Sequence, residues 1–251
     1  FTNFLWNEIG RGTDLVELEQ WLQDNQKTIE ELTTAVFATE APKYTQFFGE
    51  YSIDITKAKR GEILFQNSCT GCHGQYEKNW ESSSQTTRVI YHQKTPVIDV
   101  GTDPMRYQVM QYFAQDLNRL KISKWMKTKV VPQKGYVPPP LVGIWARWPY
   151  LHNNSIPSLC ALMTNPKDRP ETYWAGPAID ENTVYDHECV GYPSEEKVPH
   201  AWRENPDYFY DTSKEGLSNQ GHFYRIFTHE DGTEKFTQDQ KRDLIEFLKT
   251  L

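Results

Sequence analysis

No apolar run in the 251-residue chain approaches the roughly 20 residues that cross a bilayer. The opening stretch, FTNFLWNEIG, has neither the basic start nor the apolar middle of a secretory leader. The chain is therefore expected to be soluble with no membrane span, and either already processed or cut from something longer. It also lacks a basic excess. Its formal charge of −7, with acids and bases interspersed, argues against nucleic acid or an anionic membrane as partner. Internal repeats and low-complexity segments are absent. Only four cysteines occur, one close pair and two remote singles, so the second Cys-x-x-Cys or His-x-x-x-His that a structural zinc site needs is missing.

The length suits one expanded domain or two small ones, and either can bury a core without an outside staple. Aromatics make up 14% of the chain and include eight Trp, enough to line the pocket of a large flat cofactor. Three blocks read as helix. Residues 13–39, with Thr13 as N-cap and Leu15, Leu18 and Leu22 followed by Ile29, Leu32 and Val36, predict an antiparallel helix pair. Residues 56–73 predict a helix capped by Thr56 that carries Gly61, Leu64 and Phe65 into the close cysteine pair. Residues 237–251 predict a closing helix capped by Thr237, with Leu244, Ile245, Phe247, Leu248 and Leu251 on its apolar side. The stretch between, 74–236, is rich in Pro, Trp, Tyr and Asn, and only 104–120 reads as helix. A structureless stretch of that length is uncommon unless it is functional, and wrapping around a cofactor would account for it.

The cysteine pair supplies the cofactor. In NSCTGCHG, residues 67–74, Cys69 and Cys72 are followed directly by His73. Cys-x-x-Cys-His is the signal for covalent c-type haem: both thiols reach the vinyl groups of one porphyrin edge, and the adjacent imidazole becomes the proximal iron ligand. A thioredoxin-like redox pair is the competing reading, but that motif follows a buried strand and this one follows RGEILFQNS. Helices on both sides of the motif, with a small residue where they meet, are the parts of a cytochrome c core. Haem c is attached on the oxidising side of the bacterial membrane, so a periplasmic or secreted location is expected. In that compartment Cys160 and Cys189 are expected to be bonded, closing a loop of about 30 residues. The fold class expected is mainly α, an expanded cytochrome c-like haem domain with long irregular loops over residues 51–251, preceded by a helical extension over residues 1–50.

Further segments carry a family resemblance: TPVIDVGTDPMR (95–106), GIWARWPYLHNNSIPSL (143–159), RPETYW (169–174) and GLSNQGHFY (216–224). Together with the closing LIEFLKTL, they resemble the C-terminal haem domain of the diheme cytochrome c peroxidase superfamily, nearest the branch that includes the bacterial rubber oxygenases. The resemblance spans residues 50–251. Members usually carry two haems, whereas this chain has a single Cys-x-x-Cys-His and resembles the electron-handling half. In that branch the histidine of an Asn-x-Gly-His segment binds the iron's other face, which implies His222. Peroxidases use a methionine instead, for which Met163 falls nearby and Met105, Met110 and Met126 remain as generic candidates. The resemblance gives Tyr150 and His152 two readings, an electron relay with a propionate contact or a polar turn that packs Tyr. Trp145 and Trp148 are read as pocket wall rather than redox relay. Arg147, Arg88 and Arg106 are candidate propionate partners. His92, His187, His200 and His229 carry no argument of their own.

Two functions follow from these residues. One is electron transfer by a single six-coordinate haem, serving a redox protein or a second haem-bearing chain or domain. The alternative is a haem enzyme of the peroxidase or oxygenase type, whose iron loses a weak ligand and reacts itself.

Overall fold

The computed structural model describes residues 14–81, 85–94, 96–180 and 183–251. It is mainly α, with α1 (Leu15–Asp24), α2 (Gln26–Phe37), α3 (Tyr44–Phe48), α4 (Ile55–Ser68), α5 (Thr70–His73), α6 (Met105–Arg119), α7 (Lys121–Trp125), α8 (Leu159–Leu162), α9 (His200–Arg203) and α10 (Gln238–Lys249). Two small antiparallel pairs accompany them, β1 (Gln75–Asn79) with β2 (Gln85–Ile90) and β3 (Thr172–Trp174) with β4 (Phe209–Asp211). The chain divides into two compact units. The first contains the described residues through Ala41 together with Arg106–Gln133, and the second contains Pro42–Met105 and Lys134–Leu251. Residues 42–50 thus fold with the second unit. They are held there by the Trp145 indole, which donates to Pro42 O at 3.1 Å and packs edge-on against Tyr44 and Phe48 and tilted against Phe47.

In the first unit, Thr13 lies outside the described residues, and Asp14 caps α1 by accepting from the Val16 and Glu17 amides. The expected hairpin does not form. A single residue, Asn25, joins α1 to α2; its N–H donates to Trp21 O and its carbonyl accepts from Ile29 N, helix-type bonds that run on through the joint. An αα-hairpin needs a loop of roughly two to five residues. Leu22 and Ile122 are the buried centre of this unit.

The second unit is organised by α4 packed against α10. Ala58, Gly61 and Phe65 face Leu244, Phe247 and Leu248, and the Phe65 and Phe247 rings lie 5.1 Å apart. Gly61 is required there, because a Cβ would lie 2.0 Å from Asp243 O. Arg60 closes the same junction with a bidentate pair to Asp243, 2.7 Å at each contact. The N-cap of α4 is Asp54, which accepts from Lys57 N, and not Thr56, which lies inside the first turn. Thr237 caps α10 as expected, in a capping box with Gln240. Cys160 and Cys189 form the disulfide and tie α8 to the loop that ends at Val190.

Candidate functional site

The cysteine motif sits where α4 stops. Cys69 is the C-cap of α4, and α5 makes one further turn, with His73 N donating to Cys69 O at 2.9 Å. Both thiols therefore lie on one short turn that ends in an imidazole. Cys69 and Cys72 are not bonded to each other. Burial, reinforced by the neighbouring Cys72, pushes the Cys69 thiol up to about 12. A redox-active Cys-x-x-Cys needs the opposite, a lowered thiol pKa.

The His73 ring is fixed from outside the motif. Its Nδ1 lies 2.9 Å from Pro139 O. A carbonyl only accepts, so Nδ1 carries the hydrogen and Nε2 keeps a free lone pair. Proline offers no amide donor, and every carbonyl of the Pro138–Pro140 run is occupied: Tyr91 OH donates to Pro138 O, His73 to Pro139 O, and Arg147 Nη2 to Pro140 O at 2.8 Å. Tyr76 OH donates to His73 O at 3.0 Å and accepts from Leu141 N at 2.6 Å, locking the same loop to α5. Burial lowers the His73 pKa, the Pro139 bond opposes this, and the Arg147 charge lowers it further. The imidazole is thus held neutral, as a metal ligand must be.

Facing His73 is His222. The ring centres are 6.1 Å apart with an interplanar angle of 51°. His222 has positive φ, as does Gly221 before it, where a Cβ would come within 2.5 Å of Thr102 N. This turn lies against residues 98–102, with His222 N donating to Val100 O at 2.8 Å and Ile98 bridging to Tyr136. Arg169, 6% exposed, anchors the turn from behind. Its guanidinium donates to Thr164 O, Leu162 O, Asn219 O and Gly221 O. Asn153 Nδ2 holds the approach by donating to Gly216 O and Ser218 O at 3.1 and 3.0 Å. Burial pushes the His222 imidazole down to about 4, with electrostatic interaction with His73 and with Arg169 acting in the same direction. Its buried Nδ1 has no hydrogen-bond partner among the described residues.

The structure places the other expected residues as follows. Arg147 stands beside His73 through Pro140. Tyr150 is buried and its hydroxyl donates to Val190 O and Ile144 O, at 3.2 and 3.4 Å. His152 stacks on Tyr136, 5.0 Å between ring centres, next to the bridge to Ile98. Met163 is buried in the main core, whereas Met126 packs in the first unit. Arg88 is paired with Glu77, and Arg106 lies in the first unit. His187 bonds Tyr44 OH, and His200 lies 3.4 Å from Glu204. Pro139, Arg169 and Asn153 were not anticipated as site-builders. Of these, Arg169 and Asn153 lay within family segments whose side chains could have been questioned; Pro139 acts through its backbone, which leaves no side-chain signature.

The donor set fits a haem. A metal–imidazole bond is about 2.0 Å, so two rings on opposite sides of one ion have centres about 6 Å apart, the spacing observed. Two imidazoles alone complete no coordination sphere. A macrocycle with four equatorial nitrogens does, and the two thiols beside His73 are where it would be tethered.

Comparison with known proteins agrees with the fold. The model of a family described as RoxA-like, cytochrome c-like matches residues 135–175, the stretch that contains Pro139, Arg147, Asn153 and Arg169. The chain is also similar to two uncharacterized proteins of Sinorhizobium fredii (strain NBRC 101917 / NGR234). It is 29% identical to y4iJ, over 94% of this chain and 45% of that protein, and 30% identical to y4iM, over 80% and 50% respectively. The chain thus spans about half the length of the curated relatives it matches. It contains a cytochrome c-like domain within a mainly α fold, and such a domain implies haem c binding and a haem-based redox role.

Proposed function

We propose that this domain transfers single electrons through one c-type haem, bound covalently by Cys69 and Cys72 and axially by His73 and His222. The observation that carries the reading is the opposition of the two imidazoles at 6.1 Å. They come from distant parts of the chain, and each is anchored by its own hydrogen-bonded loop. When bound, haem supplies reversible one-electron exchange between ferric and ferrous iron. The chain's residues set the conditions for that exchange. Pro139 fixes the His73 tautomer, and Arg169 and Asn153 hold the loop that carries His222. Were His73 and His222 both to hold the iron, no coordination position would be left for peroxide or oxygen. Arg147, whose charge acts on His73, is proposed to pair with a propionate. The Tyr150 hydroxyl bonds favour its reading as a packed tyrosine. Electrons would pass to a redox protein or to a second haem-bearing domain, in keeping with relatives twice as long. The disulfide fits the proposed periplasmic or secreted location.

Mass spectrometry of the denatured chain is expected to show one added haem, absent from Cys69→Ala/Cys72→Ala, and ferric spectra are expected to be low-spin. His222→Ala should turn them high-spin and let the reduced protein bind carbon monoxide rapidly. A wild-type spectrum with a sulfur-to-iron charge-transfer band would put a methionine in place of His222. Steady turnover of hydrogen peroxide with an electron donor, or of oxygen with an unsaturated hydrocarbon, by the isolated chain would overturn the electron-transfer reading.

A further inference from the structure

The charge of −7 is an average, and one segment departs from it sharply. Residues 119–129, RLKISKWMKTK, hold five cations and no acid. Arg119 is paired with Asp116, but Lys121, Lys124, Lys127 and Lys129 are all exposed and have no ion-pair partner among the described residues. The local fold sorts this segment into an inner and an outer face. On α7, Ile122 and Ser123 are buried, and Ser123 Oγ donates to Leu117 O. Lys121, Lys124 and Trp125, at helical spacing i, i+3 and i+4, therefore share the outer side. Beyond α7, Thr128 N bonds Ser123 O, and Asn118 grips Val130 through both its side-chain carbonyl and its amide. This clamp holds Lys127 and Lys129 outward on a fixed backbone. Two large apolar side chains accompany the lysines in solvent, Trp125 at 43% and Val131 at 61% exposure.

We infer that this strip is a docking surface for an anionic lipid bilayer. Its chemistry distinguishes the occupant from an acidic protein. Protein interfaces are depleted of lysine and use arginine for fixed, forked contacts. Unpaired lysines interleaved with an exposed tryptophan are the pattern of a peripheral membrane contact, where the ammonium groups meet lipid phosphates and the indole sits at headgroup level. The contact would hold the domain at a membrane surface with no spanning helix, and among the described residues no helix is long and apolar enough to span one. The inference is independent of the haem.

The test is co-sedimentation of the full chain with vesicles of phosphatidylcholine alone or with 30% phosphatidylglycerol added. Binding is expected only to the mixed vesicles and should fall steeply as salt shortens the screening length. Lys121→Glu/Lys124→Glu/Lys127→Glu/Lys129→Glu should weaken it about a hundredfold or more, the matching Gln set by less, and Trp125→Ala by about tenfold. Reversal of three exposed lysines elsewhere, Lys94→Glu/Lys167→Glu/Lys214→Glu, should change it less than about threefold, since those charges are not on the strip. Equal binding to both vesicle types, no binding to either, or equal losses from the strip and control reversals would overturn the inference. Retention by soluble poly-glutamate but not by mixed vesicles would overturn it in favour of an acidic protein.

Discussion

At the scale of single residues, the two histidines proposed as axial ligands were unequally visible before the structure was known. His73 is announced by the two cysteines that precede it, since spacing alone brings all three onto one turn. Its partner Pro139 is 66 residues away and contributes only a carbonyl, so no side chain marks it. His222 was reached through a resemblance, because an isolated histidine after glycine has no local pattern. Its environment has a consequence for acid stability. The folded imidazole is held at about 4, below the 6.5 of an unfolded one. Between these values the unfolded chain binds the proton that the folded chain refuses. In the haem-free chain, stability present above about pH 6.5 is therefore lost as pH falls toward 4, by about 3 kcal/mol. The low-spin spectrum should persist across that window, since iron competes with the proton for the same nitrogen, and convert only below about pH 4. Chemical denaturation at several pH values, alongside an absorption titration, checks both halves; high-spin conversion near pH 6 would contradict them.

Among the elements, helices whose caps and apolar faces are local were read well, and junctions were not. Thr237 with Gln240 is a complete capping signature within four residues, so α10 was legible. At α4 the same reasoning chose Thr56, and Asp54 prevailed because its carboxylate reaches the Lys57 amide while Asp54 N is itself fixed by Glu246. The α1–α2 hairpin failed for a different reason: apolar periodicity reports which face is buried and says nothing of how a one-residue joint is bent. The α4–α10 junction is the most sensitive to substitution. Gly61→Val should cost about 3 kcal/mol by overpacking, since the nearest obstacle to a Cβ is backbone and cannot rotate away. Denaturant titration would reveal a change below about 1 kcal/mol, which would mean the helices can separate freely. Replacing Cys160 and Cys189 together by Ala should cost about 3–4 kcal/mol from the loop they close, with the low-spin spectrum unchanged in the folded protein.

Over the whole molecule, the fold class was legible from three helical blocks and one motif, but the division into units was not. The first unit is discontinuous, taking Arg106–Gln133 from the middle of the chain, and a reading in sequence order assigns that segment to the domain around it. The long irregular stretch has a physical explanation. Its turns are held by side-chain bonds to backbone carbonyls, from Arg147, Asn153 and Arg169 among others, and such bonds leave no periodicity. Arg169 also bears on the energy of the electron. Its guanidinium is buried among four carbonyls, and although burial brings its pKa down to about 10 it keeps its proton at neutral pH. The charge acts on His222. With iron held by His222 as proposed, this fixed cation would stabilise the reduced state and should set the midpoint potential higher than the ligands alone would. Arg169→Met should lower that potential by on the order of tens of millivolts, while Arg169→Lys, which keeps the charge and loses the fork, should retain most of it. Potentiometric titration of the three forms would decide whether this arginine fixes the direction in which electrons leave the domain.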